Sequence, residues 1–265
     1  MLYFGSFNPI HKGHISLAEY AIREGVCDEV VMVVSPRNPL KEAEDLAPEV
    51  DRYEMVEIAC GESQFPERIK PSLIEFLLER PSYTINTLRH LSENYAEGCL
   101  FSILVGGDII PQLSKWRDYQ EILNNYNIYV YPRRGEVIDL YLDKITILEG
   151  APYFDYSSTQ IREGLMHSKH IGDAVSPKVL EYIRSKEFWS PESLLLKLSA
   201  KIDNGPTADL YVERGEWYFH NSQWGEALND FNRALGVEAT HSRATELKQM
   251  IEEILAFRHT DIYNP

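Results

Sequence analysis

The chain is poor in cysteine, carries fewer cations than anions and has no long apolar run. Its three cysteines, Cys27, Cys60 and Cys99, are odd in number and far apart, so neither a disulfide framework nor a closely spaced metal or redox pair fits them. They are expected to be free thiols in core positions. Lys and Arg total 26 against 41 Asp and Glu, a formal net charge of -15. That balance excludes a broad nucleic-acid or anionic-membrane surface, where phosphate neutralisation supplies most of the affinity. A small anionic ligand remains allowed, because salt screens exposed charges over about 8 Å and a few local cations can govern a cleft. No stretch approaches the roughly 20 apolar residues of a bilayer crossing, and Met1 leads into a strand-like run with no basic, cleavable leader. The expectation is a cytoplasmic location, with no membrane and no nucleic acid among the partners.

What is present is an ordinary globular composition, 44% hydrophobic and 25% charged over 265 residues, enough for one sizeable domain and a smaller unit. Strand candidates fall at residues 1–7, 29–35, 101–106, 127–131 and 145–148. The unbroken Val30-Val31-Met32-Val33-Val34 run is what a strand covered on both faces requires. Between them, helical periodicity spans 14–24, 51–60, 85–95 and 115–124. This alternation predicts an α/β domain with a mostly parallel sheet.

After Trp189 the chain changes character. Ser190-Pro191 and Asn204-Gly205-Pro206-Thr207 read as turn and linker chemistry, and everything from Leu210 onward is helical in pattern. Gly215, Tyr218, Trp224, Ala227, Phe231, Ala234 and Leu235 fall at the offsets of a tetratricopeptide repeat, with 241–257 as a closing helix. A helical hairpin that only resembles this repeat fits as well. The expected division is residues 1–189 and a small all-α unit, 190–265. One repeat cannot bury its own faces, so the tail is expected to lean on the main domain, a second copy of the chain or a protein partner.

Two motifs carry chemistry. The first strand runs into Gly5-Ser6-Phe7-Asn8-Pro9-Ile10-His11-Lys12-Gly13-His14, with a helix expected from about His14. A glycine lets backbone approach a ligand, and a helix N-terminus offers unpaired N–H groups and partial positive charge, both suited to phosphate. Imidazoles three positions apart at that point can donate to oxygens that gain charge when phosphorus is attacked. In isolation, H-x-G-H also fits two turn histidines; a zinc pair would need a third ligand that helical spacing does not supply. The second motif, Tyr156-Ser157-Ser158-Thr159-Gln160-Ile161-Arg162, reads as a capped helix start whose hydroxyls, N–H groups and arginine can converge on an anion. Alone it fits a surface helix; paired with the first, it suggests the crevice at strand C-terminal ends.

Together, H-x-G-H after G-S-F-x-P and S-S-T-x-I-R resemble the nucleotidyltransferase superfamily of Rossmann-like three-layer α/β/α proteins. Ser35-Pro36-Arg37-Asn38-Pro39 with Lys41, Ser82-Tyr83-Thr84-Ile85 with Thr87-Leu88, Gly107-Asp108, Trp116 and Arg133 follow in the order of bacterial nicotinate-nucleotide adenylyltransferases, over about residues 1–189. The resemblance implies transfer of AMP from ATP to nicotinate mononucleotide, with Mg²⁺ on the triphosphate and no protein metal site. It implies catalytic roles for His11 and His14, an ATP site of Gly5, Ser6, Phe7, Asp108, Ser158, Thr159 and Arg162, and a mononucleotide site of Asn38, Lys41, Tyr83, Thr84, Trp116, Arg117 and Arg133. A nicotinamide-mononucleotide adenylyltransferase or a cytidylyltransferase is the near alternative; a nucleotide-sensing module acting through the tail is the distant one. Departures from the family pattern are Phe4 ahead of Gly5 and Asn8 ahead of Pro9.

Other residues are given bland roles. His167 and His170 are expected in an exposed turn, Tyr126, Tyr129 and Tyr131 to pack or face solvent, and Arg117 either to sit in solvent or to add charge near a carboxylate.

Overall fold

The computed structural model describes residues 1–36, 46–95, 97–132 and 137–263. The chain forms two compact units, Met1–Gly164 with His170–Phe188, and Leu165–Lys169 with Trp189–Pro265.

Among the described residues the first unit carries a six-stranded sheet: β1 (Leu2–Gly5), β2 (Val30–Val34), β3 (Ile69–Ser72), β4 (Ser102–Gly106), β5 (Asn127–Tyr131) and β6 (Ile145–Ile147). The order is β3-β2-β1-β4-β5-β6. Every neighbouring pair is parallel, with Leu2 opposite both Val31 and Ile103. This is the Rossmann-like order, in which the winding direction reverses between the first and fourth strands and opens a crevice there. Helices α1 (Lys12–Arg23), α2 (Glu49–Gly61), α3 (Ile74–Leu77), α4 (Thr84–Tyr95) and α5 (Tyr119–Asn125) lie between the strands; α6 (Ser158–Met166) and α7 (Pro177–Ser185) follow them. The valine run of β2 is almost wholly buried, and α1, α2 and α3 pack on that strand. Leu2, Val33, Ile85, Leu88, Ile103, Val105, Ile110, Leu113, Ile122, Ile128 and Val130 form one apolar cluster across four strands.

Three sequence expectations are corrected here. Strand β3, Ile-Lys-Pro-Ser, was not anticipated: it lies at the sheet edge, the position in a sheet where a proline's missing N–H is tolerated. The expected helix over 115–124 starts later, at Tyr119, because Trp116 is extended (ψ 141°) and Asp118 is left-handed (φ 50°) after a 3-10 stretch at Gly107–Lys115. Cys60 is buried and Cys27 intermediate, but Cys99 is exposed rather than core, in the turn region ahead of β4.

In the second unit, Ser190-Pro191 does not open a linker. Pro191 is the first residue of α8 (Pro191–Asn204), and Ser190 caps it by accepting from the Ser193 N–H at 3.1 Å. The missing proline N–H costs nothing at that position. Thr207 caps α9 (Ala208–His220) through the Leu210 N–H at 3.2 Å. Helix α10 (Trp224–Val237) packs on α9 and on α11 (Ser242–Tyr263). Ala227, Phe231, Leu247 and Ile251 form its centre, and a methyl group on Gly215 would stand 2.5 Å from the Phe231 ring, so only glycine permits this approach. Asp230, 1% exposed, is held by the Arg214 fork at 2.6 and 2.8 Å.

Candidate active site

The two motifs converge. One cleft of about 1150 Å³ is lined by Gly5, Ser6, Phe7, His11 and His14 from the first motif and by Ser158, Thr159 and Arg162 from the second. Asp108, Tyr83, Thr84, Trp116 and Arg117 line the same cleft. Asn38, Lys41 and Arg133 lie outside the described residues.

The first cradle follows directly from β1. Phe7 takes a left-handed backbone (φ 43°), an uncommon conformation for a bulky residue and one that turns the chain sharply at the strand end. Its ring folds back so that a Cβ on Gly5 would stand 2.9 Å away, which explains glycine there. The Asn8–Pro9 peptide is cis. His11 is the extended residue just before α1, so the helix starts at Lys12, two positions earlier than the sequence expectation. The His11 N–H donates to His14 Nδ1 at 3.2 Å, and the two imidazole rings stack with centroids 3.6 Å apart. With Nδ1 accepting, a neutral His14 carries its proton at Nε2, which is then a donor. Phe7 packs edge-on against His14 at 5.1 Å and Tyr156 edge-on against His11 at 5.3 Å. Burial raises the Tyr156 hydroxyl above its ordinary range, with Asp173 adding to it.

The second cradle is locked to the first. Ser157 is the residue ahead of α6: its Oγ accepts from the Gln160 N–H at 3.3 Å while Gln160 Oε1 accepts from the Ser157 N–H at 2.8 Å, a reciprocal capping box. Ser158 and Thr159 therefore open the helix. Ser158 Oγ donates to the Pro9 carbonyl at 2.9 Å, and Arg162 donates to the Asn8 carbonyl at 2.8 Å. Arg162 also reaches Thr159 Oγ1 at 3.4 Å.

Beyond the cradles, Asp108 is an exposed carboxylate just past the end of β4. Arg117 is exposed and stacks over the Tyr83 ring at 5.0 Å, a cation held on an aromatic at the cleft. Tyr131 packs edge-on against Tyr3 with ring centroids 6.1 Å apart, as a packing role requires; it also lines the cleft at the end of β5, and its hydroxyl meets that of Tyr3 at 3.2 Å. Glu75 also lines the cleft and was not anticipated. It is 2% exposed, accepts from Thr87 Oγ1 at 3.2 Å, and is pushed up by burial against the opposing pull of Ser35 and Thr87. No signal in the sequence marks these residues, because their partners come from distant elements: Tyr3 on β1 for Tyr131, Thr87 on α4 for Glu75. His167 and His170 are exposed, as expected.

Fold and cleft define a nucleotide-binding domain of the transferase kind, with two phosphate-suited helix starts facing one crevice of a parallel sheet. The cytidylyltransferase-like family model matches residues 2–164. A probable nicotinate-nucleotide adenylyltransferase of Flavobacterium psychrophilum is 42% identical over 192 residues, 71% of this chain and 97% of the relative. One of Bacteroides thetaiotaomicron is 40% identical over 184 residues, 69% of this chain and 89% of the relative. Among solved structures, the Plasmodium falciparum nicotinic acid mononucleotide adenylyltransferase complexed with NaAD shares the fold with a TM-score of 0.60 at 18% identity, over 71% of this chain and 95% of that one. The chain belongs to the cytidylyltransferase-like family and, within it, to the nicotinate-nucleotide adenylyltransferases.

Proposed function

We propose that this protein is an adenylyltransferase that joins nicotinate mononucleotide to the AMP half of ATP, releasing pyrophosphate and nicotinate adenine dinucleotide. The observation that carries this reading is the meeting of the His11–His14 pair and the Ser158–Arg162 helix start in one cleft. At about 1150 Å³ the cleft exceeds the few hundred to about 1,000 Å³ typical of a single small ligand, in keeping with two nucleotides.

The attacking group is the mononucleotide 5′-phosphate, already an anion at neutral pH. It strikes the α-phosphorus of ATP in line; a P–O bond forms as the bond to the β-phosphate oxygen breaks, and pyrophosphate leaves with the electron pair. No general base is needed, so catalysis rests on alignment and charge neutralisation, and alignment alone is worth roughly 7 to 11 kcal/mol. In this reading His11 and His14 donate to oxygens of the reacting phosphates, while Ser158, Thr159, Arg162 and the α6 N–H groups take the departing pyrophosphate. Gly5, Ser6 and Phe7 form the floor, and Asp108 receives ribose hydroxyls. Trp116 stacks on the nicotinate ring, with N–H groups near Thr84 and Arg117, and Tyr83 beneath Arg117, at its carboxylate. Asn38, Lys41 and Arg133 are assigned to the mononucleotide. A carboxylate is the better acceptor for such donors, which disfavours the neutral nicotinamide.

Among the described residues no group of three or more His, Cys, Asp or Glu could hold a metal ion. In this reading a Mg²⁺ would arrive on the triphosphate with phosphate oxygens and waters as its ligands and would neutralise charge there. Among the described residues no helix is long and apolar enough to cross a membrane. The helical tail is assigned to contact with a second copy or a protein partner. Pyrophosphate release from ATP, measured with nicotinate mononucleotide, nicotinamide mononucleotide and neither, tests the reading. Turnover with nicotinate mononucleotide at least tenfold above the amide supports it; equal or no turnover removes it.

A further inference from the structure

Arg52 in α2 has no exposed surface and is the largest fully buried side chain of the described residues. Its guanidinium donates to four backbone carbonyls: Nε to Ala47 at 3.1 Å, Nη1 to Ser6 at 2.8 Å and to Ser35 at 2.6 Å, and Nη2 to Pro36 at 2.7 Å. Among the described residues no carboxylate pairs with it. Burial brings its pKa down to about 10, with Glu49 acting weakly in the other direction. A buried cation without a counter-charge is an expensive way to fill a core, and four carbonyls from three chain segments are more than simple packing requires.

The segments it gathers are those of the cleft. Ser6 belongs to the phosphate loop and Ser35 to the exit of β2; both line the cleft. The Ser35 N–H donates to the Gly5 carbonyl at 2.9 Å, and the Ala47 N–H to Asn8 Oδ1 at 2.9 Å. On its far side Ser35 meets Glu75, which reaches Thr87 on α4 at 3.2 Å and whose carbonyl accepts from Ser82 Oγ at 3.4 Å. A continuous chain of hydrogen bonds thus runs from the phosphate loop, through Arg52 and Ser35, to the segment bearing Tyr83 and Thr84.

We propose that Arg52 is a positioning residue: its planar fork fixes the spacing between the phosphate loop and the neighbouring cleft wall, and so aligns the two nucleotides for reaction. The inference rests on the adenylyl-transfer reading. A lysine offers three donors on one nitrogen and cannot span these carbonyls, whereas a diffusible guanidinium can. Misplacement by about 1 Å is enough to cost two orders of magnitude in rate.

The test uses the full chain as wild type, Arg52→Lys and Arg52→Ala, with kcat and both KM values measured beside circular dichroism and thermal melting. The expected result for Arg52→Lys is a folded protein whose kcat, at saturating ATP and mononucleotide, falls about 30- to 100-fold, and for Arg52→Ala a partial recovery of kcat with added methylguanidinium. Unchanged kcat, loss that only follows the unfolded fraction, or failure of both variants to fold would reduce Arg52 to a structural residue and overturn the proposal. A wild-type chain inactive on every mononucleotide would instead count against the adenylyl-transfer reading itself.

Discussion

Ser158 Oγ donates to the carbonyl of Pro9 at 2.9 Å across 149 positions of sequence. With the Arg162 bond to Asn8, it means that the second cradle is built onto the backbone of the first. In the proposed mechanism Arg162 is a ligand group as well as a tie, so replacing it should do more than weaken binding. Arg162→Ala is expected to lower kcat/KM for ATP by about 10² to 10³, in line with the loss of a transition-state donor, with a much smaller change in KM for the mononucleotide. Steady-state kinetics with each substrate varied in turn would reveal it; a loss confined to the mononucleotide KM would contradict the assignment.

His14 has two duties. Its Nδ1 satisfies the His11 N–H at the start of α1, and its other nitrogen faces the phosphate chemistry in the proposed mechanism. His14→Ala should therefore cost about 1 kcal/mol of stability, as a lost cap does, and at least a hundredfold in kcat. Denaturant titration and turnover measured on one preparation separate the two. Full activity would remove the catalytic role.

Arg117 is stacked on Tyr83 at 5.0 Å, and both line the cleft. If this pair marks the nicotinate carboxylate, Arg117→Ala should raise KM for nicotinate mononucleotide about tenfold while leaving that for the amide unaltered, narrowing the preference. The ratio of kcat/KM for the two mononucleotides is the measurement that decides.

Cys60 is 2% exposed and its thiol is pushed up to about 12, first by burial and then by Glu57. At pH 8 a disulfide reagent should label the exposed Cys99 quickly and Cys60 only on unfolding. The linkage has a defined sign. An unfolded cysteine releases its proton near pH 8.5, while the folded one holds it to about 12, so Cys60 makes the fold progressively less stable as pH rises through that window. Mass spectrometry of labelled protein and unfolding at pH 8 and 10 check both statements.

In the helical unit, Asp230 accepts both nitrogens of the Arg214 fork while almost wholly buried. Asp230→Ala leaves that cation without its partner and should destabilise the unit by about 3 to 5 kcal/mol, read from the denaturant midpoint of its helical transition. A shift below about 1 kcal/mol would mean that this buried pair contributes little to the stability of the unit.

How much of this could be read beforehand depended on whether the partner groups were local. The Val30–Val34 run betrays its strand because burial on both faces leaves a composition signature, and His11, His14 and the Ser158–Arg162 group stand out because each cradle is one short segment. Arg52 looked like any charged residue on an amphipathic helix; its four carbonyls come from loops that only the folded sheet gathers. Tyr131 was similarly opaque, since its hydroxyl partner Tyr3 stands two strands away in the sheet. Pro71 hid an edge strand, and the left-handed Asp118 broke a stretch whose apolar spacing was helical.

The reversal of winding between β1 and β4 has an evolutionary corollary. The crevice exists because segments leaving adjacent strands depart in opposite directions, whatever side chains happen to cover its walls. On the proposed reading, a change at an exposed rim position such as Arg117 can therefore retune which mononucleotide is admitted without disturbing the sheet beneath, so one scaffold can diversify its diet while its architecture stands still.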